Sequence, residues 1–258
     1  TPTAAAAPAS TQLEAGTVAY RHANLAMFVG GFATFAMVYS TQPLLPLLAT
    51  DFGVSAASAS LTVSATTAGL ALMLMPGSVL ADRLGRQPVM KIALAMAAVL
   101  ALASAAAPDF VSLLVLRALL GAVIAGLPAA AMAYIGEEYA ANAQARAMGL
   151  YIAGNALGGM SGRFIAALLT DVASWRIALG AIGLLGLIAA CVAGLPARLP
   201  RQSVAPRQIV RAVSARVTGL AEFKRDAVLG SSAVFIVALG LTIHYLGRQG
   251  GADLPAVL

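Results

Sequence analysis

Two arginines stand where arginine is expensive. Arg117 sits in "LLVLRALLGAVIAGLPAA" and Arg163 in "YIAGNALGGMSGRFIAALL", runs that are otherwise apolar or glycine-rich. A guanidinium is a planar, permanently charged fork of donors that grips carboxylate or phosphate groups two bonds at a time. In a hydrocarbon medium it must face protein or water. Neighbouring runs add uncharged polar groups: Tyr39 and Gln42 in "YSTQPLLPLL", and Asn155 upstream of Arg163. These five residues suggest a polar vestibule that favours an anionic solute group or a carboxylate partner. No Asp or Glu falls inside the same runs, so they hold no titratable proton carrier. Proton coupling would draw on Asp82, on the Glu137–Glu138 pair, or on a segment elsewhere. No cofactor and no metal site is expected.

Such residues need elements that hold them in an apolar medium. Of 258 residues, 60% are hydrophobic and 10% charged, with a mean hydropathy of +0.88. A water-soluble domain carries about a quarter charged residues. This chain cannot coat a globule with polar side chains and is expected in a bilayer. The formal charge of +6 does not point to nucleic acid, because the basic residues lie between apolar runs rather than on one face. Cys191 is the single cysteine, which excludes a disulfide framework; it reads as a small buried hydrophobe.

A spanning helix takes about 20 apolar residues. Six runs qualify, at 23–48, 57–80, 89–107, 110–135, 147–170 and 175–195, with a seventh candidate at 227–246. Their connections are short, so neighbours should form antiparallel hairpins. The fold expected is all-α, a polytopic membrane helix bundle. Residues 1–22 are rich in Ala, Pro and Thr and lack the layout of a signal peptide; they read as a disordered cytoplasmic tail. Residues 196–226 read as a basic cytoplasmic linker, within which "IVRAVSARVTGLAEFKR" also suits an interfacial amphipathic helix. Residues 247–258 form a tail.

Basic residues orient the spans. One set of loops holds Arg21, Arg83, Arg86, Lys91 and Arg146, and the linker adds more; the opposite loops, near Asp51, Asp109 and Asp171, offer only Arg176. The first set, and the N-terminus, should be cytoplasmic. At ~1.5 Å per residue, Arg117 and Arg163 each lie roughly 12–14 Å inside the external edge. Tyr39 and Gln42 fall near that layer, and Asn155 lies deeper.

The loop between the second and third spans reads "SVLADRLGRQPVM". Asp82 there should find an arginine or other donors at the helix end. Gly85 permits a tight bend, Pro88 suits the first turn of the next helix, and Arg83 and Arg86 anchor the charged side. This stretch resembles the loop signature of the major facilitator superfamily, G-x-L-A-D-R-x-G-R-R/K-x-x-L. Asp82, Arg83, Gly85 and Arg86 match it; Ser78 replaces the leading glycine and Gln87 a basic residue. Leu113, Arg117 and Gly121 resemble the pattern L-x-x-x-R-x-x-Q-G, with Leu120 for glutamine. Gly154, Gly158 and Gly159 resemble G-P-x-x-G-G, with Asn155 for proline. "YSTQPLLPLL" and "SWRIAL" are similar to segments of bacterial drug and sugar efflux members.

The resemblance implies a six-helix N-terminal half built as an inverted 3+3 repeat, and a loop that controls switching between two halves. Family members carry twelve spans, and residues after about 206 do not resemble the second half. A truncated, frameshifted or half-size form is therefore expected. Gly154, Gly158 and Gly162 make a smooth stripe, expected to pair with a second copy, a separate second half, or lipid. The function implied is transport of small solutes by alternating access, as efflux of drugs, sugars or similar metabolites. The expected setting is the bacterial inner membrane, with the lipid bilayer and a small-molecule substrate as partners and no enzymatic activity. Two alternatives stay open. "GMSG" at 159–162 resembles the rhomboid G-x-S-G element, so Ser161 with His244 would suit an intramembrane serine protease. The chain would otherwise be a non-transporting membrane fragment or interaction partner.

Overall fold

The computed structural model describes residues 12–194. The start of the tail, the linker, the seventh span candidate and the tail at 247–258 lie outside the described residues.

Prolines divide two of the spans. Helix α1 (Val18–Tyr39) ends where Pro43 has no N–H for the Tyr39 carbonyl; a 3-10 turn at Gln42–Leu44 leads into α2 (Leu45–Phe52). The fourth span divides likewise into α5 (Phe110–Ile124) and α6 (Gly126–Glu138), because Pro128 leaves the Ile124 carbonyl without its helical donor. The other spans are single helices: α3 (Ala56–Leu84), α4 (Arg86–Ala105), α7 (Ala141–Val172) and α8 (Trp175–Gly194). Side chains close the helix starts. Thr17 accepts from the Tyr20 N–H, Ser55 from Ser58 and Asp109 from Ser112. The Ser112 backbone N–H, with the Ser112 hydroxyl, holds the Asp109 carboxyl below its ordinary value. Gly53, at φ +62°, takes the left-handed conformation that ends α2.

The tail is shorter than expected. Leu13 is buried, its N–H donates to the Glu138 carbonyl at 2.7 Å, and its own carbonyl accepts from the Ala140 N–H at 3.2 Å. Leu13 shares a core with Tyr20 and Tyr139, so a single apolar side chain docks residues expected to be disordered. The cysteine expectation also fails: Cys191 is exposed on α8, a face an apolar solvent can cover.

α1 packs on α7, α3 on α5, and α4 on α8. Exchanging the first three spans with the last three turns the first pairing into the second and leaves the third unchanged. This is the contact pattern of an inverted 3+3 repeat. Small residues set the spacing at both exchanged seams. Among the described residues, six apolar stretches are long enough to span a membrane. The outer face of α3 leaves Leu72, Met75, Val79 and Leu84 exposed. Below, the end where α3 turns into α4 is the Arg86 end, and the end where α2 meets α8 is the Trp175 end.

Candidate functional site

At the Arg86 end, Gly85 adopts φ +95° and donates its N–H to the Ala81 carbonyl at 3.0 Å. This bend carries Arg86 back over α3. Its Nη2 lies 3.3 Å from Asp82 Oδ1 and 2.6 Å from Glu137 Oε1. One guanidinium therefore ties the α3–α4 turn to the last turn of α6. Glu137 is thereby held by a residue 51 positions away in the chain. Gln87, a departure from the signature, donates to the Tyr134 hydroxyl at 3.0 Å and adds a second tie to α6. Arg83 is exposed and enters no ion pair among the described residues. The Glu137 side chain is 61% exposed, so the clamp is worth about 1 kcal/mol or less to folding. Arg86→Gln and Glu137→Gln are each expected to shift the unfolding free energy by that amount in a detergent double-mutant cycle. A loss above roughly 3 kcal/mol would mark the pair as a buried one.

Towards the Trp175 end, α7 presents Arg163 to the α1–α2 break. Arg163 Nε donates to Gln42 Oε1 at 2.5 Å, and the guanidinium carbon lies 4.3 Å from the centre of the Tyr39 ring. The cation stacks on the aromatic face, is oriented by the amide, and stays exposed. Three of the five vestibule residues thus come together.

Arg117 does not join them in this conformation. It is 1% exposed. Nη1 donates to the Met37 carbonyl at 2.9 Å and Nη2 to Ser40 Oγ at 3.1 Å. Ser40 Oγ in turn donates to the Met37 carbonyl at 3.0 Å. The cation sits at the C-terminal end of α1, where carbonyls lack helical partners and the dipole favours positive charge. Asn155 is half-buried on the α1–α7 seam, lying over Gly31 beside the Tyr151 ring, and its Oδ1 has no partner. Depth along a helix was legible from residue counts. Azimuth was not: each residue turns the side chain by about 100°, and the packing of α5 and α7 decides which arginine is buried.

Another link escaped sequence reasoning. Trp175 Nε1 donates to Asp51 Oδ2 at 2.6 Å, fastening the end of α2 to the start of α8. Arg176 lies over the Trp175 ring and donates to the Ala105 and Ala107 carbonyls at 3.2 and 2.7 Å, capping α4. The "SWR" string marked these residues only as familiar. At the Arg86 end a cavity of about 420 Å³ opens among α1, α4, α6 and α8, with apolar walls and His22, Gln87, Lys91 and Tyr134 as its polar groups.

The glycine stripe is occupied within the chain. A methyl group on Gly154 would stand 2.6 Å from the Phe28 carbonyl oxygen, one on Gly162 2.5 Å from that of Ala36, and one on Gly158 would collide with that of Phe32. Gly159 faces the Tyr39 ring. The stripe expected to await a second copy, a separate half or lipid is therefore the seat of α1.

A family model described as Major Facilitator Superfamily matches residues 27–256. The chain is 42% identical over 201 residues to the uncharacterized MFS-type transporter YybF of Bacillus subtilis (strain 168), covering 77% of this chain and 49% of that protein. It is 43% identical over 178 residues to the inner membrane transport protein YnfM of Escherichia coli (strain K12), covering 69% of this chain and 43% of that protein. The chain thus spans about half the length of the curated relatives it matches. Among solved structures it is similar to a bacterial homolog of the human lysosomal transporter Spinster, inward-facing and unoccupied, with a TM-score of 0.62 at 18% identity over 70% of this chain and 43% of that one. That likeness bears on the fold alone.

Proposed function

This chain belongs to the major facilitator superfamily, and from that premise we propose that it supplies one six-span half of a transporter that exports small solutes bearing an anionic group. The family is one of multi-pass membrane transporters, not enzymes. The rhomboid-type alternative falls with it: Ser161 is an interior residue of α7, and His244 lies outside the described residues.

The reading places the chain in a bacterial inner membrane with the Arg86 end and the N-terminus in the cytoplasm. The basic residues at that end support it. Drugs, sugars and similar metabolites are the solute range, with a carboxylate or phosphate as the recognised group. No cofactor enters. Arg163 carries the reading: Gln42 orients it, Tyr39 supports it, and no carboxylate among the described residues neutralises it. Arg117 is sealed against the end of α1 and serves folding rather than the solute site; Asn155 is a polar stop deeper in the α1–α7 seam. Asp82, Arg83, Gly85 and Arg86 form the switching turn, and release of Glu137 from Arg86 is the step that a proton would drive. Alternating access needs two bundles, so this half works together with a second one. Without one, the chain is a membrane fragment that moves nothing.

The test is solute flux in reconstituted vesicles, with benzoate as the anionic probe and glucose as the neutral one. Arg163→Gln is expected to raise KM for benzoate about tenfold, the loss of one charge-assisted hydrogen-bonding partner, and to leave glucose flux unchanged. Equal benzoate flux in Arg163→Gln removes the anion site. Absence of any flux, alone or with a second half, favours the inert fragment.

A further inference from the structure

The α1–α7 seam holds a second polar recess, at the Arg86 end. It is a cleft of about 340 Å³ lined in part by Tyr20, Arg21, Asn24, Phe28, Arg146 and Leu150, and no acidic residue lines it. Tyr20 and Asn24 form its inner wall at 5% and 7% exposure. The Tyr20 hydroxyl and Asn24 Oδ1 are buried and have no hydrogen-bond partner. Arg21 and Arg146 are exposed, one from each helix. The ion pairs among the described residues are those of Arg86, so neither rim arginine is neutralised there.

Two guanidinium groups without an acidic partner on the rim of a cleft whose wall carries the Asn24 amide describe a site for an anion. We propose that this cleft binds an oxyanion, a carboxylate or phosphate, attached to a short apolar body. The two guanidinium groups supply forked donors and charge. The Asn24 amide adds an NH2 donor on the cleft wall. Phe28 and Leu150 meet the apolar part. A cleft of this volume suits a small organic anion. The same chemistry fits the headgroup of an anionic phospholipid, because a basic recess between helices at a membrane surface attracts one. The site stands apart from Arg163 and requires no transport, so it survives or fails independently of the export reading.

The full chain, purified in a neutral detergent, is titrated calorimetrically with phenyl phosphate. In parallel it is placed in phosphatidylcholine nanodiscs with or without phosphatidylglycerol, and retained lipid is read by native mass spectrometry. Saturable single-site binding of phenyl phosphate is expected. Arg21→Gln and Arg146→Gln should each weaken it about tenfold or more, Asn24→Leu should weaken it too, and Lys91→Gln, which removes a charge at the same end, should not. Retention of phosphatidylglycerol alone, lost in the two glutamine variants, supports the site with a lipid as its source. Near-UV circular dichroism and elution volume verify that each variant is folded. If the glutamine variants do not fold, Arg21→Lys with Arg146→Lys keeps the charge, and its loss of the fork should still weaken binding measurably. The proposal is overturned by absence of saturable binding to both probes, or by folded arginine variants that bind like the parent.

Discussion

Arg117→Ala is expected to cost about 4 kcal/mol of folding free energy while leaving the folded protein's KM for an anionic solute unchanged. The side chain is 1% exposed, so truncation leaves a hole of several methylenes, a loss of about 2–5 kcal/mol in a packed interior. It also removes the donors to the Met37 carbonyl and to Ser40 Oγ. The Met37 carbonyl keeps the Ser40 hydroxyl as a donor, so the penalty for an orphaned acceptor is small. Arg117→Met should therefore recover about half of the loss, because it refills the space and removes the cost of burying a charge. Arg117→Lys retains the charge but cannot reach both oxygens, and should lose about 2 kcal/mol. Denaturant unfolding in detergent, followed by Trp175 fluorescence, measures all three. A near-parental unfolding free energy together with a raised KM would place the guanidinium on the solute path and would sink its assignment to the α1 terminus.

Gly158→Ala and Gly121→Ala should each destabilise by about 2–3 kcal/mol, the range for overpacking a close contact. A methyl at Gly158 meets the Phe32 carbonyl across the α1–α7 seam, and one at Gly121 meets the Thr66 carbonyl across the α3–α5 seam. Backbone oxygens cannot rotate away as side chains do, so the helices must separate along their length. Gly149 and Gly136 provide the contrast: a methyl there meets nothing within 4 Å. Gly149→Ala and Gly136→Ala should be neutral or stabilising by about 0.5–1 kcal/mol through helix propensity. Thermal unfolding of the four variants in one detergent decides the matter. If Gly121→Ala unfolds with Gly149→Ala, the second seam is not a backbone contact and the two-fold correspondence of the halves loses its energetic basis.

Much of the architecture was written in local terms. Apolar runs of spanning length located the six spans, because a bilayer demands length and composition and is indifferent to sequence detail. The turn at Asp82, Gly85 and Arg86 was legible since a bend, a charge and its partner all fall within a few residues. Pro43 and Pro128 also mark the breaks in the first and fourth spans through a missing N–H, a local fact that hydropathy alone passes over.

Other features depended on rotation and register between distant helices. Arg117 and Arg163 share a depth in the sequence, yet one is sealed on the Met37 carbonyl and the other lies exposed over the Tyr39 ring. The stripe of Gly154, Gly158 and Gly162 announced a close approach without naming its partner, which is α1 of the same chain. Leu13 read as part of a tail until Tyr20 and Tyr139 supplied a place for it, and nothing near Asp51 foretold Trp175. The sequence by itself determined that six runs among the described residues reach spanning length and that Asp82, Gly85 and Arg86 meet in one turn, because these obey rules counted along one chain. Only the tertiary structure decided which arginine is sealed, what the glycines touch and where the unpartnered polar groups gather. Those depend on the relative phase of packed helices, and a shift of one residue turns a side chain by about 100°.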